Sequence, residues 1–484
     1  MAARKTAKKK TVPKKKKKAV KKKAVRKTAK KAVKKTKKKA APRRKPPQPA
    51  PGGAVPAGGN PAGLRIRMYR VGFGDFFLMT VPTDNGPRHI LIDCGVHAKD
   101  THSIKAAVEH MAQETGKKLA LIIVTHRHAD HVTGFAKCKE LFGEFEVERV
   151  WLSWYENPKD GKAMALQANI AAAATQIHQS LSARSDPQSE PYRNMVANIT
   201  DALSAAGGSQ NPEAMAVLKG FPGNPIRYYK AGDAPDLPDD LVAAGFAAQI
   251  LGPPSDASLL SKTDKAAQEY LAGFSLTATD GGAIFPKGFS VKPERYKSPV
   301  FEILPREEIE ARIAAAQPDQ LAVGASIANN QINNQSLVTL FTFNGKTLLF
   351  AGDAQWGNWA NFMFGGVDSA TLKAESKAIL GNLDFYKVGH HGSTNATPKD
   401  ALAAMKDGCV AMCSTAIDAY PGVPRDPLIA GINSKTRNQL ARSDQVAAGD
   451  QEIDPRAGKA LAKIFDAVTI ENAAGKCGYI DYVI

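Results

Sequence analysis

Apolar and polar positions change rhythm several times along this chain of 484 residues. LRIRMYRVG, beginning at Leu64, alternates the two and predicts a strand where the folded part begins. FFLMTVP and HILIDCG are further β-rich runs closed by turn residues. SIKAAVEHMAQETG has helical spacing, with Gly116 as its stop. LALIIVT is a continuous apolar run of buried-strand length that ends in HRHADH, and VERVWLSW predicts the next strand. Farther on, IRYYKAGD and FAAQILGPP return to strand patterns. SLVTLFTF and TLLFAGDA flank NGK as a hairpin with an Asn-Gly turn. LDFYKVGHHGS and CVAMCST read as further strands, and the final segment, including KALAKIFDAVTI, is mixed.

Two blocks break this rhythm. Residues 157–223 are rich in Ala, Gln and Ser, with helical spacing in GKAMALQANIAAAATQIHQSL and NMVANITDALSAA, and read as a helical insertion. Residues 255–325 form a second, irregular insertion with a helix expected at EEIEARIAAA. No internal repeat has a convincing period. Periodicity alone therefore gives a mixed α/β fold.

Charge changes the picture. The formal net charge is +20, but residues 1–62 hold 25 of the 66 Lys and Arg and none of the 46 Asp and Glu. That leaves 41 basic against 46 acidic residues, a formal −5, over the rest. Residues 1–45 are built from Lys, Ala, Val and Thr, and residues 46–62 are a Pro, Gly and Ala spacer. Such a segment has too little apolar surface to offset its ordering entropy, so it is expected to be a disordered interaction arm. Lysine at this density gains affinity by releasing counterions from phosphate backbones, and the expected partner of residues 1–62 is nucleic acid. A solubility tail or localisation signal is the plainer alternative. The five cysteines are few and odd in number, which speaks for buried reduced thiols in a cytoplasmic protein and against a disulfide framework. No apolar stretch reaches membrane-span length and no secretory signal opens the chain, so neither a membrane partner nor export is expected.

The densest chemistry lies in LIIVTHRHADHVTGF. His126, His128, Asp130 and His131 crowd the residues after a buried apolar run, where open α/β sheets place their sites. His126 and His128 are two apart and can point the same way on an extended segment. Asp130 and His131 follow at an expected turn and could face a second position nearby. Imidazole with carboxylate suits Zn²⁺ or Mn²⁺, so one or two divalent metals are expected. Asp353 follows LLFAG, and His390 and His391 follow FYKVG, again at strand ends. Taken alone, Asp353 could be an ordinary turn residue. Three strand ends bearing His or Asp, in a chain with ten His, agree with one convergent site.

THRHADH resembles the H-x-H-x-D-H signature of the metallo-β-lactamase fold. VGFGDFFLMTVP, ILIDCG, THRHADHVTGF, YYKAGD, AQILGPP, NQSLVTLFTFNGKTLLFAGDA and YKVGHHGST occur in the order seen in the C-terminal hydrolase domain of the DNA-uptake channel ComEC and its soluble relatives. The lysine-rich opening is similar in composition to linker-histone tails. The metallo-β-lactamase resemblance implies an αββα sandwich over residues 63–484, interrupted by the two insertions. It implies that His126, His128, Asp130 and His131 bind metal, that Asp353 bridges two metals, and that His390 or His391 is the last ligand, with His390 preferred. Asp130 could also handle the proton of the attacking water. The resemblance places Asp75 and Asp93 behind the ligands and Ser393 at the substrate pocket. Two departures stand out. The family's middle His has no counterpart, since His178 lies in the helical insertion, so Asn333, Asn334 or water must serve. Val423, in YPGVPRDPL, stands where soluble relatives often carry His before Pro.

Such a site hydrolyses esters, amides, lactones or phosphodiesters. The first reading is a phosphodiesterase or nuclease tethered by its basic segment. The second is a small-molecule ester, lactone or amide hydrolase localised by it. The third is a nucleic-acid-associated binding protein with a vestigial metal site.

Overall fold

The computed structural model describes residues 63–97, 104–182, 210–223, 225–262, 265–269, 328–417, 419, 422–444, 467–469 and 477–484. Residues 1–62 and the expected helix at EEIEARIAAA lie outside the described residues.

The strands among the described residues are, in chain order, β1 (Arg65–Tyr69), β2 (Phe76–Val81), β3 (Arg88–Cys94), β4 (Lys118–Leu119), β5 (Leu121–Ile123), β6 (Glu146–Val147), β7 (Val150–Ser153), β8 (Ile226–Tyr229), β9 (Ala247–Gly252), β10 (Val338–Phe343), β11 (Lys346–Phe350), β12 (Phe385–Lys387), β13 (Val410–Cys413), β14 (Leu440–Arg442), β15 (Ala467–Thr469) and β16 (Tyr479–Val483). The first sheet runs β15-β16-β1-β2-β3-β5-β7-β8, and the second runs β14-β13-β12-β11-β10-β9. In each, an antiparallel part gives way to a parallel part, at β3/β5 in the first sheet and β11/β12 in the second. The run LALIIVT is split at Ala120, so that β4 leaves to pair with β6 while β5 stays in the large sheet.

Alternation along the strands builds three apolar layers. Phe77, Met79 and Val81 of β2 face inward and join Ile90, Ile123, Phe341, Phe350, Phe385 and Met412 in a core between the two sheets. Phe76 and Leu78 face outward and pack on the helices Ile104–Thr115, Ala129–Lys137 and Gln210–Lys219. The outer face of the second sheet is covered by Trp356–Phe364, Lys399–Ala404 and Asp426–Thr436. Helix, sheet, sheet and helix thus lie in four layers, as the αββα expectation required.

The expected hairpin is present. β10 and β11 pair antiparallel through Asn344 and Gly345, both with positive φ (49° and 74°), as a primed turn requires. Gly116 stops its helix at φ 58°. The first insertion is helical where described, over Gly161–Ser182 and Gln210–Lys219. In the second insertion the described residues include a short turn of helix at Ala257–Ser261. All five cysteines are buried, and none forms a disulfide among the described residues. Among the described residues no helix is long and apolar enough to cross a membrane.

A candidate metal centre between the two sheets

The site gathers at the carboxyl ends of the parallel strands, where backbone turns away and side chains are free to converge. β3 carries Asp93 as its penultimate residue, and β5 leads through Thr125 to His126, Arg127 and His128. From the second sheet, β11 delivers Asp353, β12 delivers His390 and His391, and β13 delivers Ser414. Close backbone approach makes this possible. A Cβ on Gly95 would lie 2.3 Å from the Asp130 carbonyl carbon, so only glycine lets the loop after β3 lie against the signature. Gly352 sits at φ 54°, and its missing Cβ would meet the Thr125 side chain at 2.9 Å, which brings Asp353 across to the first sheet.

Asp130 and His131 occupy the first turn of the helix Ala129–Lys137, where a turn was expected. Asp353 is the hub. Its Oδ2 lies 3.3 Å from His131 Nε2 and 3.7 Å from His391 Nε2. The same atom lies 3.9 Å from the Nε2 atoms of His126 and of His390. His126 Nε2 lies 3.0 Å from His128 Nδ1, and His391 Nε2 lies 3.0 Å from Asp130 Oδ2. One donor atom from each of Asp130, His131, Asp353 and His391 falls within 4.8 Å of the others.

That group contains His391, where His390 was preferred from the sequence. Both residues have left-handed backbones, with φ 44° for His390 and 52° for His391. Strand alternation therefore stops at Gly389, and the second imidazole, not the first, turns toward Asp130. Left-handed φ at non-glycine residues costs about 1–2 kcal/mol each and clusters at functional sites. Asp93, at φ 54°, is a third case here.

A second tier fixes the imidazoles. His131 Nδ1–H donates to Asp93 Oδ2 at 2.8 Å, and Asp93 also accepts from the Thr125 backbone at 2.8 Å and hydroxyl at 2.7 Å. His391 Nδ1–H donates to the Ser414 carbonyl at 2.9 Å. Both bonds leave Nε2 facing the centre, able to take a cation once its own proton is displaced. Asp75 lies behind them, 3.8 Å from His131 Nδ1 and 3.7 Å from His391 Nδ1, and forms a buried ion pair with Lys387. Ser393, expected at the pocket, is buried; its hydroxyl donates to Asn395 Oδ1 (2.9 Å), and its oxygen lies 2.7 Å from His390 Nδ1.

Electrostatics follow from burial. Burial pulls His128 down to about 4 and His126 well below its ordinary range, so both are neutral. Burial also opposes charge on His131 and His391, but Asp353 and the other carboxylates outweigh it and raise both imidazoles. Burial likewise pushes Asp353 and Asp130 up, and the imidazoles, His131 foremost, outweigh it, so both carboxylates stay ionised. His128 Nε2, His131 Nε2, Asp353 Oδ1 and Asn333 Oδ1 are buried without a hydrogen-bond partner among the described residues. Buried lone pairs rarely stay orphaned. Converging, unpartnered nitrogen and oxygen donors beside ionised carboxylates fit a divalent cation.

Sequence reasoning missed Lys387, Thr125 and the support from the first insertion. Lys387 could have been found as the lone charge in a buried apolar run. Asn211, on the insertion helix, donates to the Arg127 carbonyl at 3.1 Å, and Arg127 itself pairs with buried Glu156. Nothing in the local sequence marks either contact. Asp93→Asn keeps a residue that tolerates the left-handed backbone but loses the charge that orients His131. Chelator competition should show metal affinity falling by about 10–100-fold; unchanged affinity would show that Asp93 does not tune the site.

No family model matches the chain, and no curated protein does. Among solved structures, it is similar to a Beta-lactamase domain protein from Burkholderia ambifaria, at 19% identity and a TM-score of 0.23, over 39% of this chain and 46% of that one. The chain thus spans less than half the length of that protein.

Proposed function

We propose that this protein is a metal-dependent hydrolase of the metallo-β-lactamase superfamily that cleaves phosphodiester bonds, held on nucleic acid by residues 1–62. The observation that carries the hydrolase reading is the convergence of Asp130, His131, Asp353 and His391 from both sheets, with unpartnered donor atoms between them. His126 and His128 would add to the ligand set. Bound Zn²⁺ or Mn²⁺ supplies a Lewis acid that makes water nucleophilic near neutral pH and draws charge from the scissile group. Asp130 is the carboxylate nearest to solvent, its side chain 16% exposed against 2% for Asp353. It is therefore placed to meet an entering water. Its depressed pKa makes it a weak proton store, so its part is to orient the water through a carboxylate oxygen. Asp93 and Ser414 keep His131 and His391 in the tautomers that present Nε2.

The phosphodiester choice rests on the basic segment, whose charge matches a polyanion. The test compares a small chromogenic phosphodiester with a carboxylic ester and a lactone, each with added Mn²⁺ or Zn²⁺. Metal-dependent turnover of the diester supports the reading. Turnover of the ester or lactone alone would replace it with the small-molecule hydrolase.

Acid pH should oppose metal loading. Without a cation, the raised imidazoles of His131 and His391 carry protons that metal must displace. Calorimetry at pH 7 in buffers of different ionisation enthalpy should show about one to two protons released per cation. The stabilisation these imidazolium groups give the metal-free protein is complete below their ordinary value of 6.5 and is lost as pH rises through their raised values. The rise in Tm on adding metal should therefore grow from pH 6 to pH 8. A metal effect on Tm that does not change over that range would contradict this balance.

A further inference from the structure

Two neighbours of the centre are not explained by the ligand cluster: His390, one step outside it, and Asn333, which stands 57 residues away in sequence and touches it. His390 Nδ1 faces Asn395 Oδ1 at 3.1 Å and Ser393 Oγ at 2.7 Å. The amide oxygen can only accept, and the Ser393 hydroxyl is already donated to that same oxygen at 2.9 Å. The His390 proton therefore sits on Nδ1, and Nε2 is an acceptor. Asn333 Nδ2 lies 3.2 Å from that Nε2 and donates to it. This fixes the amide orientation: with Nδ2 turned to His390, Oδ1 points the other way. That oxygen is buried, in a residue 1% exposed, and makes no hydrogen bond of ordinary geometry among the described residues. The same side chain reaches His128. Asn334 is fully engaged elsewhere. Its Nδ2 donates to the Leu260 and Lys262 carbonyls at 3.0 and 3.1 Å, and its Oδ1 accepts from the Gln355 backbone at 2.9 Å.

We infer that Asn333 Oδ1 is a neutral oxygen donor to a cation position bounded by His126, His128 and Asp353, and that His390 is a positioning residue that aims this oxygen rather than a ligand. The inference rests on the metal-dependent reading above and names what completes its weaker position. A carboxamide oxygen is harder than the imidazole it replaces. The position would therefore hold its cation less tightly than the one at Asp130, His131, Asp353 and His391, and would favour Mn²⁺ over Zn²⁺ more than an all-imidazole set does.

Metal binding by the full-length protein tests this without reference to activity. Stripped protein is titrated with Mn²⁺ and separately with Zn²⁺, and bound metal is counted by elemental analysis after dialysis. Wild type should bind two equivalents, one tight and one weak. Asn333→Ala should weaken only the second by at least about tenfold. Asn333→Asp, nearly isosteric and anionic, should tighten it, and Asn333→His should shift its preference toward Zn²⁺ by a similar factor. His390→Phe should loosen the second equivalent without abolishing it, whereas His128→Ala should abolish it. A purely structural role for Asn333 would not move the Mn²⁺ to Zn²⁺ preference. Wild-type affinity and preference for the second cation in both the Asp and Ala variants would overturn the inference. A wild-type stoichiometry of one would overturn it and leave the hydrolase reading standing; no bound metal in wild type would overturn both.

Discussion

Replacing Asp353 by alanine is expected to abolish hydrolysis of a small phosphodiester and to strip the protein of bound metal. Among the described residues four imidazoles lie within 3.9 Å of its Oδ2, and its Oδ1 is buried without a hydrogen-bond partner. Among the described residues no other carboxylate lies within 4.0 Å of all of them. Breaking a buried charge constellation by removing one partner costs about 3–5 kcal/mol. If that loss falls on the transition state, the rate drops by roughly 10²–10⁴-fold, each 1.36 kcal/mol being tenfold. The fold should survive, because Asp353 lies beyond the end of β11 and takes no part in the sheet pairing. Its removal relieves His131 of its strongest attraction, so the metal-free variant should also lose the raised imidazole pKa. Wild type and Asp353→Ala, both repurified to remove contaminating nucleases and supplied with Mn²⁺ or Zn²⁺, give the decisive comparison. Equal residual cleavage would mean that this centre does not cut phosphodiesters. The ester or lactone reading would then move ahead, and a variant and wild type equally inert toward every ester would leave the binding-protein reading.

The centre was legible where chemistry is concentrated in sequence and illegible where it depends on long-range geometry. His126, His128, Asp130 and His131 announce themselves by crowding, whereas Asp353, after an apolar run read as a strand, could alone have been an ordinary turn residue and gains weight only beside the other strand ends. Periodicity could not show that Asp130 and His131 begin a helix. The apolar positions that define it, Val132, Phe135 and Ala136, come after the polar residues that serve the site. The choice between His390 and His391 turned on a left-handed backbone pair that no alternation rule anticipates. The helix Trp356–Phe364 carries apolar residues around most of its surface, so it offers no amphipathic stripe to read. Lys387 and Asn333 gained meaning only when the second sheet was laid against the first. Residues built for function break local pattern, which is why sequence reasoning fails nearest the site.

Deleting residues 1–62 should collapse both the affinity for nucleic acid and its dependence on salt, while activity on a small diester stays unchanged. All 25 ionised side chains of that segment are cationic, whereas the remaining chain is formally −5 and repels a polyanion. Each phosphate neutralised adds about 0.9 to the slope of log affinity against log salt on duplex DNA. If roughly eight to ten of the 25 charges engage at once, affinity should fall by about 10⁴–10⁵-fold between 50 and 200 mM salt in the intact chain and hardly at all in the truncated one. The truncation removes no residue of either sheet, since β1 begins at Arg65. Tethering raises the local concentration of a long substrate without touching the chemical step. Cleavage of long DNA or RNA should therefore drop toward the rate set by unassisted encounter, and kcat for a small diester should not move. Binding isotherms across a salt series, run beside both assays, read all three quantities on the same preparations. An unchanged salt slope in the truncated protein would place the nucleic-acid surface on the folded part and leave the basic segment with a solubility or localisation role. A small-diester rate that falls with the truncation would show that residues 1–62 act at the metal centre itself.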